Sequence, residues 1–152
     1  MKLCIIAIGK GRDSPENLLA RSWLSRLHPS GKIIEIESKL SSGLKRTEDE
    51  GLRILRAIPK GAALGVMDPI GKDHSSEDFA ELIAQWRNQS FGSAYFVIGG
   101  ADGQANIVRQ NAHKIIAFGR ATWPHMLFRA MLAEQLYRAS AIISGHPYHR
   151  AN

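Results

Sequence analysis

Five short apolar runs, each followed by a stretch with helical character, constrain the fold of this chain more than any other feature. The runs cover residues 2–9, 32–37, 62–67, 93–98 and 114–118. Strands that alternate with helices at this spacing predict an α/β fold: a mainly parallel sheet with helices on both faces and right-handed crossovers. The first run, KLCIIAIG, is apolar without alternation, which predicts a buried, central strand. At 152 residues the chain can bury one sizeable core, so a single domain over 1–152 is expected.

Helix signals occupy the intervals between these runs. Ser14 and Pro15 predict the start of the first helix, and Leu19, Trp23 and Leu27 then recur at the spacing of one helix face. Helices are expected over about 14–27 and 46–58, from Ser75 or Ser76 to at least Trp86, and over about 104–112 and 125–143.

Pro69 and Gly71 stand just beyond the third apolar run. Proline cannot donate a hydrogen bond to a β-ladder, and a proline followed closely by glycine favours a turn. The sequence therefore predicts that the third strand ends at Met67 and that the chain leaves the sheet there.

An excess of basic residues limits the possible partners. The chain has 20 Lys and Arg against 14 Asp and Glu, a formal net charge of +6. This imbalance favours a polyanionic partner, with nucleic acid as the leading candidate, although surplus lysine also serves solubility alone. No run approaches the roughly 20 apolar residues that a bilayer span needs, so a soluble, cytoplasmic protein is expected. The single Cys4 lies among apolar residues and is expected to be a small buried side chain.

Three glycine- or proline-bearing loops, 68–72, 99–103 and 119–124, follow the third, fourth and fifth strands. Ligands of open α/β sheets bind where the carboxyl ends of the strands meet, so the sequence predicts one cleft built from these loops. Each loop alone is weak evidence, because a plain strand-to-helix turn explains its glycines as well or better, and no G-x-G-x-x-G or P-loop motif is present. That absence argues against a Rossmann dehydrogenase and a P-loop nucleotidase. His146 and His149 flank Pro147 in a tail, and no metal site is predicted.

The last predicted helix is apolar on nearly every side. Such a helix must be buried, and a second subunit is a natural cover for it, so a homodimer is expected. Complete burial within one subunit is the alternative. Arg129, Glu134 and Arg138 interrupt the apolar surface, and they either form a structural salt link or face RNA or the partner's site.

Four segments form a specific combination: the opening MKLCIIAIGK, the FVIGGADG segment, the TWPHMLFRAMLAEQLYRA stretch and the terminal HPYHR. Together they resemble the RlmH family, ribosomal RNA large subunit methyltransferase H, within the SPOUT superfamily. The resemblance covers essentially the whole chain. It implies a deep carboxyl-terminal trefoil knot, S-adenosyl-L-methionine bent in the knotted loops, and two subunits that complete each site. It also implies methylation of N3 of a pseudouridine in 23S ribosomal RNA of the assembled ribosome.

The same resemblance indicates which residues hold the cofactor, chiefly through backbone groups. They are Met67, Gly100, Gly119, Arg120, Ala121, Thr122, Trp123 and Pro124. Small residues suit this task because the backbone must approach the ligand closely. The chain departs modestly from the family pattern: Met67 replaces the usual leucine, Pro69 comes one position early, and Gly119 stands where a serine is common.

Candidate catalytic and RNA-binding residues are expected on the last helix and in the tail. They are His125, Arg129, Arg138, Tyr148, His149 and Arg150. Aromatic, imidazole and guanidinium groups can stack on a base and neutralise phosphate, whereas a frayed terminus is the alternative for the tail. The target N3 carries an imide proton, and His149 is the candidate base because imidazole titrates near neutral pH.

Two other functions stay open at this point. One is a different SPOUT methyltransferase that acts on another uridine or on transfer RNA. The other is a non-catalytic dimer that binds RNA or the ribosome.

Overall fold

A parallel five-stranded sheet forms the centre of the protein, in a computed structural model that describes residues 1–150. The strand order is β2-β1-β4-β3-β5, and every strand pair is parallel. The strands are β1 (Lys2–Ile8), β2 (Lys32–Ile36), β3 (Ala63–Asp73), β4 (Ser93–Ile98) and β5 (Lys114–Ala117). The predicted α/β class is confirmed. β1 is an interior strand as expected, although β4 occupies the middle position.

Five helices connect and follow the strands. They are α1 (Pro15–Ser25), α2 (Leu44–Ala57), α3 (Ser76–Asn88), α4 (Asn106–Gln110) and α5 (His125–Ser144). The Ser14 side chain caps α1 by accepting a hydrogen bond from the Asn17 amide, and Ser75 forms a reciprocal capping box with Asp78 at α3. α4 is shorter than predicted, because Gln104 and the residue after it precede the first helical turn.

Helices cover both faces of the sheet. Leu3, Ile5 and Ala7 of β1 point into the core that also contains residues of α1, α3 and α5. The alternate side chains of β1 point into a second core beneath α2 and α4. Cys4 belongs to this second core and is fully buried, as predicted.

The predicted buried face of α1 is wrong in one position. Leu19 is 49% exposed, whereas Asn17, Ala20 and Leu24 are buried. The four-residue spacing of large apolar side chains was misleading, because the face that meets α5 includes a small residue and a polar one. Asn17 is accommodated there because its amide donates to the Arg12 carbonyl at 2.7 Å.

The prediction that β3 ends at Met67 is also wrong. Met67 pairs with Ile116, and after a bulge Lys72 pairs with the same residue, so the strand resumes beyond Pro69. The bulge lifts the proline out of the ladder, which removes the need for its missing amide hydrogen. At Gly71 the backbones of β3 and β5 approach each other closely: an added Cβ would lie 2.6 Å from the Ile116 nitrogen. Only glycine permits this approach.

Among residues 1–150, no helix combines the length and the apolar character that a membrane crossing requires.

Candidate functional site

A cavity of about 610 Å³, here called the edge cavity, opens at the carboxyl edge of the sheet. The bulge in β3 and the loops that follow β4 and β5 all contribute to its wall, together with the end of β1 and the start of α5. Strand ends converge there because all five strands run in the same direction.

Most residues assigned to the cofactor from the sequence line the edge cavity. Those that do are Met67, Gly100, Gly119, Ala121, Thr122 and Trp123. Arg120 and Pro124 belong to the same loop but are not among the lining residues. His125, expected to contact RNA, lines the cavity instead.

Gly100 and Gly119 shape the cavity for different reasons. A Cβ at Gly100 would lie 3.0 Å from Ile8 Cγ2 and 3.5 Å from Glu50 Oε2, so a larger residue would crowd Ile8 in the cavity wall. Gly119 has φ +78°, a conformation that L side chains rarely adopt.

His125 connects the start of α5 to the second loop. Its Nε2 lies 3.1 Å from the Gly99 carbonyl oxygen, and since a carbonyl only accepts, Nε2 carries the proton. Burial lowers the pKa of His125 below its usual value, and the charge of Arg129 lowers it further, against a smaller opposing effect of the Gly99 carbonyl. A neutral imidazole with Nδ1 as an acceptor therefore faces the edge cavity at pH 7.

Arg129 is completely buried behind the edge cavity. Its guanidinium donates to the Ile8 and Gly9 carbonyls at 2.9 and 2.7 Å and to Glu35 Oε1 at 2.9 Å. Burial lowers the pKa of Arg129, and the Glu35 carboxylate opposes that effect. Of the two interpretations of this residue, the placement favours a structural salt link over direct contact with RNA.

Sequence reasoning missed an ion pair in the wall of the edge cavity. Asp68 is 6% exposed and accepts hydrogen bonds from Arg109 Nε at 2.8 Å and Nη2 at 2.7 Å. An acidic residue directly after an apolar run was the available sequence signal for Asp68. Arg109 gave none, because the fold alone brings the two residues together.

Gln104 also lines the edge cavity and was not predicted. Its side chain is 6% exposed, and Oε1 has no hydrogen-bond partner within residues 1–150. An unpaired buried acceptor is unfavourable, so this atom can accept from a ligand that enters the cavity.

The tail packs against the second half of α5 rather than fraying. We call Arg138, Tyr148 and His149 the tail cluster. Arg138 Nη2 and the Tyr148 hydroxyl both donate to Glu134 Oε1, at 2.5 and 2.8 Å, and the Arg138 guanidinium lies 5.0 Å from the Tyr148 ring centroid. His149 Nε2 lies 2.8 Å from Glu77 Oε1.

Charge and burial set the ionisation of Arg138 and Tyr148. The Glu134 carboxylate raises the pKa of Arg138, while burial and then the same carboxylate raise the pKa of Tyr148. Arg138 is therefore cationic and Tyr148 is a neutral phenol at pH 7. Arg150 follows the cluster and is exposed.

The structure does not bring the tail cluster and the edge cavity together within this single chain. Thirteen positions along α5 separate His125 from Arg138, which is about 20 Å at 1.5 Å per residue.

Within the described part of the chain, no group of three or more His, Cys, Asp or Glu side chains could hold a metal ion.

Comparison with known proteins adds an independent observation. Residues 1–149 match the family model described as a predicted SPOUT methyltransferase. Three similar proteins are each named ribosomal RNA large subunit methyltransferase H. The one from Paramagnetospirillum magneticum is 44% identical, with 99% of each chain covered. The one from Rhodospirillum centenum is 45% identical and covers 99% of this chain and 100% of its own. The one from Paracoccus denitrificans is 45% identical, with 99% of each chain covered.

Proposed function

This chain belongs to the ribosomal RNA large subunit methyltransferase H family of SPOUT methyltransferases, and we propose that it methylates N3 of a pseudouridine in 23S ribosomal RNA. The proposed methyl donor is S-adenosylmethionine, and the proposed substrate is the assembled ribosome. The observation that carries the proposal is the glycine-lined edge cavity, which α5 joins to a cationic and aromatic tail cluster.

The edge cavity fits S-adenosylmethionine in size and in chemistry. Its volume of about 610 Å³ lies in the ordinary range of small-molecule sites, and Ile98, Phe118 and Phe128 give it apolar walls. Gln104 Oε1 offers an unpaired acceptor to a donor group, and Gly100 leaves room for a close approach. When bound, S-adenosylmethionine supplies an electrophilic methyl group on a sulfonium sulfur.

A second subunit is needed if the tail cluster and the edge cavity serve one reaction. The rigid α5 helix holds them about 20 Å apart in one protomer. A twofold partner can bring its own tail cluster to this cavity, since an isologous interface presents the same surfaces from both subunits.

Exposed apolar side chains support this homodimer. Leu18 and Leu19 of α1 are 53% and 49% exposed, and Leu127 of α5 is 40% exposed, on two helices that pack against each other. A partner subunit would remove these side chains from water.

The tail cluster has the groups that the reaction requires. N3 must lose its imide proton as it attacks, and it must lie in line with the methyl carbon and the sulfur. We assign proton acceptance to His149 and stabilisation of the developing negative charge to Arg138. Tyr148 and Arg150 are assigned to stacking on the base and to holding phosphate. Arg129 keeps the backbone of Ile8 and Gly9 in place at the cavity wall.

We also propose that the carboxyl-terminal part forms a deep trefoil knot. The chain's membership of the SPOUT methyltransferases supports this proposal, because the resemblance to that superfamily implies such a knot. The methionine and adenine parts of the donor would then lie within loops 68–72, 99–103 and 119–124.

A methyl-transfer assay tests the proposed function. Ribosomes that lack the modification are incubated with labelled S-adenosylmethionine, and the product nucleoside is identified by mass. We expect 3-methylpseudouridine from ribosomes and no product from transfer RNA. Label in transfer RNA or in another uridine would favour a different SPOUT activity. Absence of thermal stabilisation by S-adenosylhomocysteine would favour a non-catalytic dimer, because a ligand of the folded state must stabilise it.

Mixed dimers test the shared site. Gly100→Val impairs the edge cavity and Arg138→Ala impairs the tail cluster, so each homodimer should retain at most about a tenth of the wild-type activity. In a mixed dimer of the two variants, one site combines an intact cavity with an intact tail from the other subunit. Activity near half of the wild-type value is expected, whereas an inactive mixed dimer would contradict assembly across the interface.

A further inference from the structure

A second pocket, far from the edge cavity, carries an unbalanced positive charge. It has a volume of about 410 Å³ and lies between the start of β1, the end of α1, α3 and the second half of α5. Its exposed rim contains Arg26, His28, Arg87 and His146, and no carboxylate is among its lining residues. We call it the basic pocket.

The basic pocket is separate from the site of the methyl donor. Leu3 lies in its wall and Ile8 lies in the wall of the edge cavity, five positions away along β1. At about 3.3 Å per residue these positions are about 16 Å apart. The pocket therefore takes no part in holding the methyl donor of the same subunit.

Its two arginines are not neutralised by the protein. Neither Arg26 nor Arg87 forms an ion pair within residues 1–150, whereas Arg53 and Arg138, for example, each pair with a carboxylate. The Arg26 guanidinium lies 4.6 Å from the Trp23 ring centroid, and this contact holds its charge at the rim of the pocket. Both cations are thus free to meet an anion.

The floor of the pocket has a different character from its rim. Leu3, Ile83 and Ile143 make it apolar, while Tyr137 adds an aromatic ring and Ser140 adds a hydroxyl. A cationic rim over an apolar and aromatic floor matches a nucleotide, whose phosphate is anionic and whose base stacks on π-surfaces. A free inorganic anion would need only the rim.

The basic pocket also adjoins the tail cluster. The ring centroids of Tyr137 and Tyr148 are 5.0 Å apart, and Trp23 contacts both rings. A strand of RNA that reaches the tail cluster therefore has a second anchoring point next to it.

We propose that the basic pocket binds a phosphodiester of the substrate RNA, with its nucleoside, beside the nucleotide that the tail cluster presents. This inference rests on the proposed function for the identity of the RNA. It adds a specificity element, because the pocket fixes the path of the strand next to the methylated base.

The test compares two variants that remove the same charge. Arg26→Gln with Arg87→Gln removes both cations of the basic pocket. Arg56→Gln with Lys60→Gln is the matched control, at exposed positions on and just after α2, on the other face of the sheet. Binding to undermethylated ribosomes is measured at several salt concentrations, together with kcat, KM and the thermal stabilisation by S-adenosylhomocysteine.

We expect the pocket variant to bind ribosomes at least roughly tenfold more weakly than the control, because the loss of even one charge-assisted hydrogen bond has about that effect. The plot of log affinity against log salt should become shallower by about 2 in slope, because two phosphate-facing cations are lost. KM for ribosomes should rise, while kcat and the stabilisation by S-adenosylhomocysteine stay at wild-type values. Unfolding midpoints of both variants show whether each is folded.

Equal affinities and salt slopes in the two variants would overturn the inference. So would a defect on intact ribosomes that disappears on protein-free target RNA, since the partner would then be a ribosomal protein. Stabilisation of the wild type by inorganic phosphate alone, equal to that by an RNA oligonucleotide, would also overturn it. Failure of the wild type to methylate ribosomes would instead refute the proposed function, and the parallel activity assay separates that result from a pocket defect.

Discussion

Replacing Arg129 with leucine should destabilise the protein far more than breaking any exposed ion pair. Arg129 has the largest fully buried side chain among residues 1–150, and its three hydrogen bonds tie α5 to the end of β1 and to Glu35 of β2. Leucine leaves the Ile8 and Gly9 carbonyls unpaired and removes the positive charge beside the Glu35 carboxylate.

The structure sets the size of this effect. Removing one partner of a buried ion pair costs about 3–5 kcal/mol. The Glu35 side chain is 21% exposed and still accepts from the Gly11 amide at 2.8 Å, so it can be partly rehydrated. The lower end, about 3 kcal/mol, is therefore expected. With a urea dependence of about 2 kcal/mol per molar, the unfolding midpoint should fall by about 1.5 M.

Urea unfolding followed by circular dichroism at fixed protein concentration measures the change. Arg53→Leu is the matched control, because its pair with Asp49 is of nearly equal length, 2.8 Å against 2.9 Å, but 48% and 28% exposed. Exposed pairs contribute about 0.5 kcal/mol or less, so its midpoint should fall by no more than about 0.3 M. Arg129→Lys should lie between the two, since an ammonium keeps the charge but lacks the planar fork.

Similar midpoints for Arg129→Leu and Arg53→Leu would refute this reasoning, because burial would then have no effect on the ion pair. Arg129 is also expected to position the backbone of Ile8 and Gly9, which line the edge cavity. A large loss of stability with unchanged binding of S-adenosylhomocysteine would refute that positioning role.

Three further predictions concern the edge cavity and the tail cluster. Gly100→Val should weaken S-adenosylhomocysteine binding at least about tenfold by calorimetry, because the valine side chain would crowd the cavity wall. The control Gly92→Val, at an open position, should bind normally. Equal affinities of the two variants would show that Gly100 is not part of the site. Arg138→Ala should lower the methylation rate about tenfold or more while the melting temperature falls only a few degrees, since its pair with Glu134 is partly exposed, and normal turnover would reject its role. The pKa of His125 should lie below 6.5 by NMR, because burial disfavours its cation. The unfolded chain then binds this proton more tightly than the folded protein, so the free energy of unfolding should fall as the pH drops below about 6.5. This fall should be smaller in His125→Gln. A titration midpoint above 6.5 would contradict this assignment.

The elements of the fold were readable because their signals are local. The apolar run of β1 is buried on both faces, and Ser14 and Ser75 cap the helices that they were expected to start. Strand and helix periodicities depend only on neighbours a few positions apart, and so do caps. The convergence of three loops at one edge followed from the parallel topology alone.

The contacts that shape the site could not be predicted from the sequence, because they join residues that lie far apart along the chain. Asp68 and Arg109 are 41 positions apart, and Glu35 and Arg129 are 94 positions apart. No local pattern marks such a pair, because the partners meet only after the sheet has formed. The exposure of Leu19 could not be predicted locally either, since packing against α5 decides which face of α1 is buried.

The bulge in β3, which the sequence did not predict, is what joins the walls of the edge cavity. Asp68 lies at the start of the bulge, where its Oδ1 accepts from the Ile70 amide at 3.1 Å and its Oδ2 binds Arg109 of α4. Asp73 lies where the strand has resumed, and its Oδ1 accepts from the Gly119 amide at 2.8 Å. A strand that ended at Met67 would hold the first wall but would leave the third loop without this tether. The proline that seemed to end β3 therefore marks the place where one strand reaches both sides of the cavity.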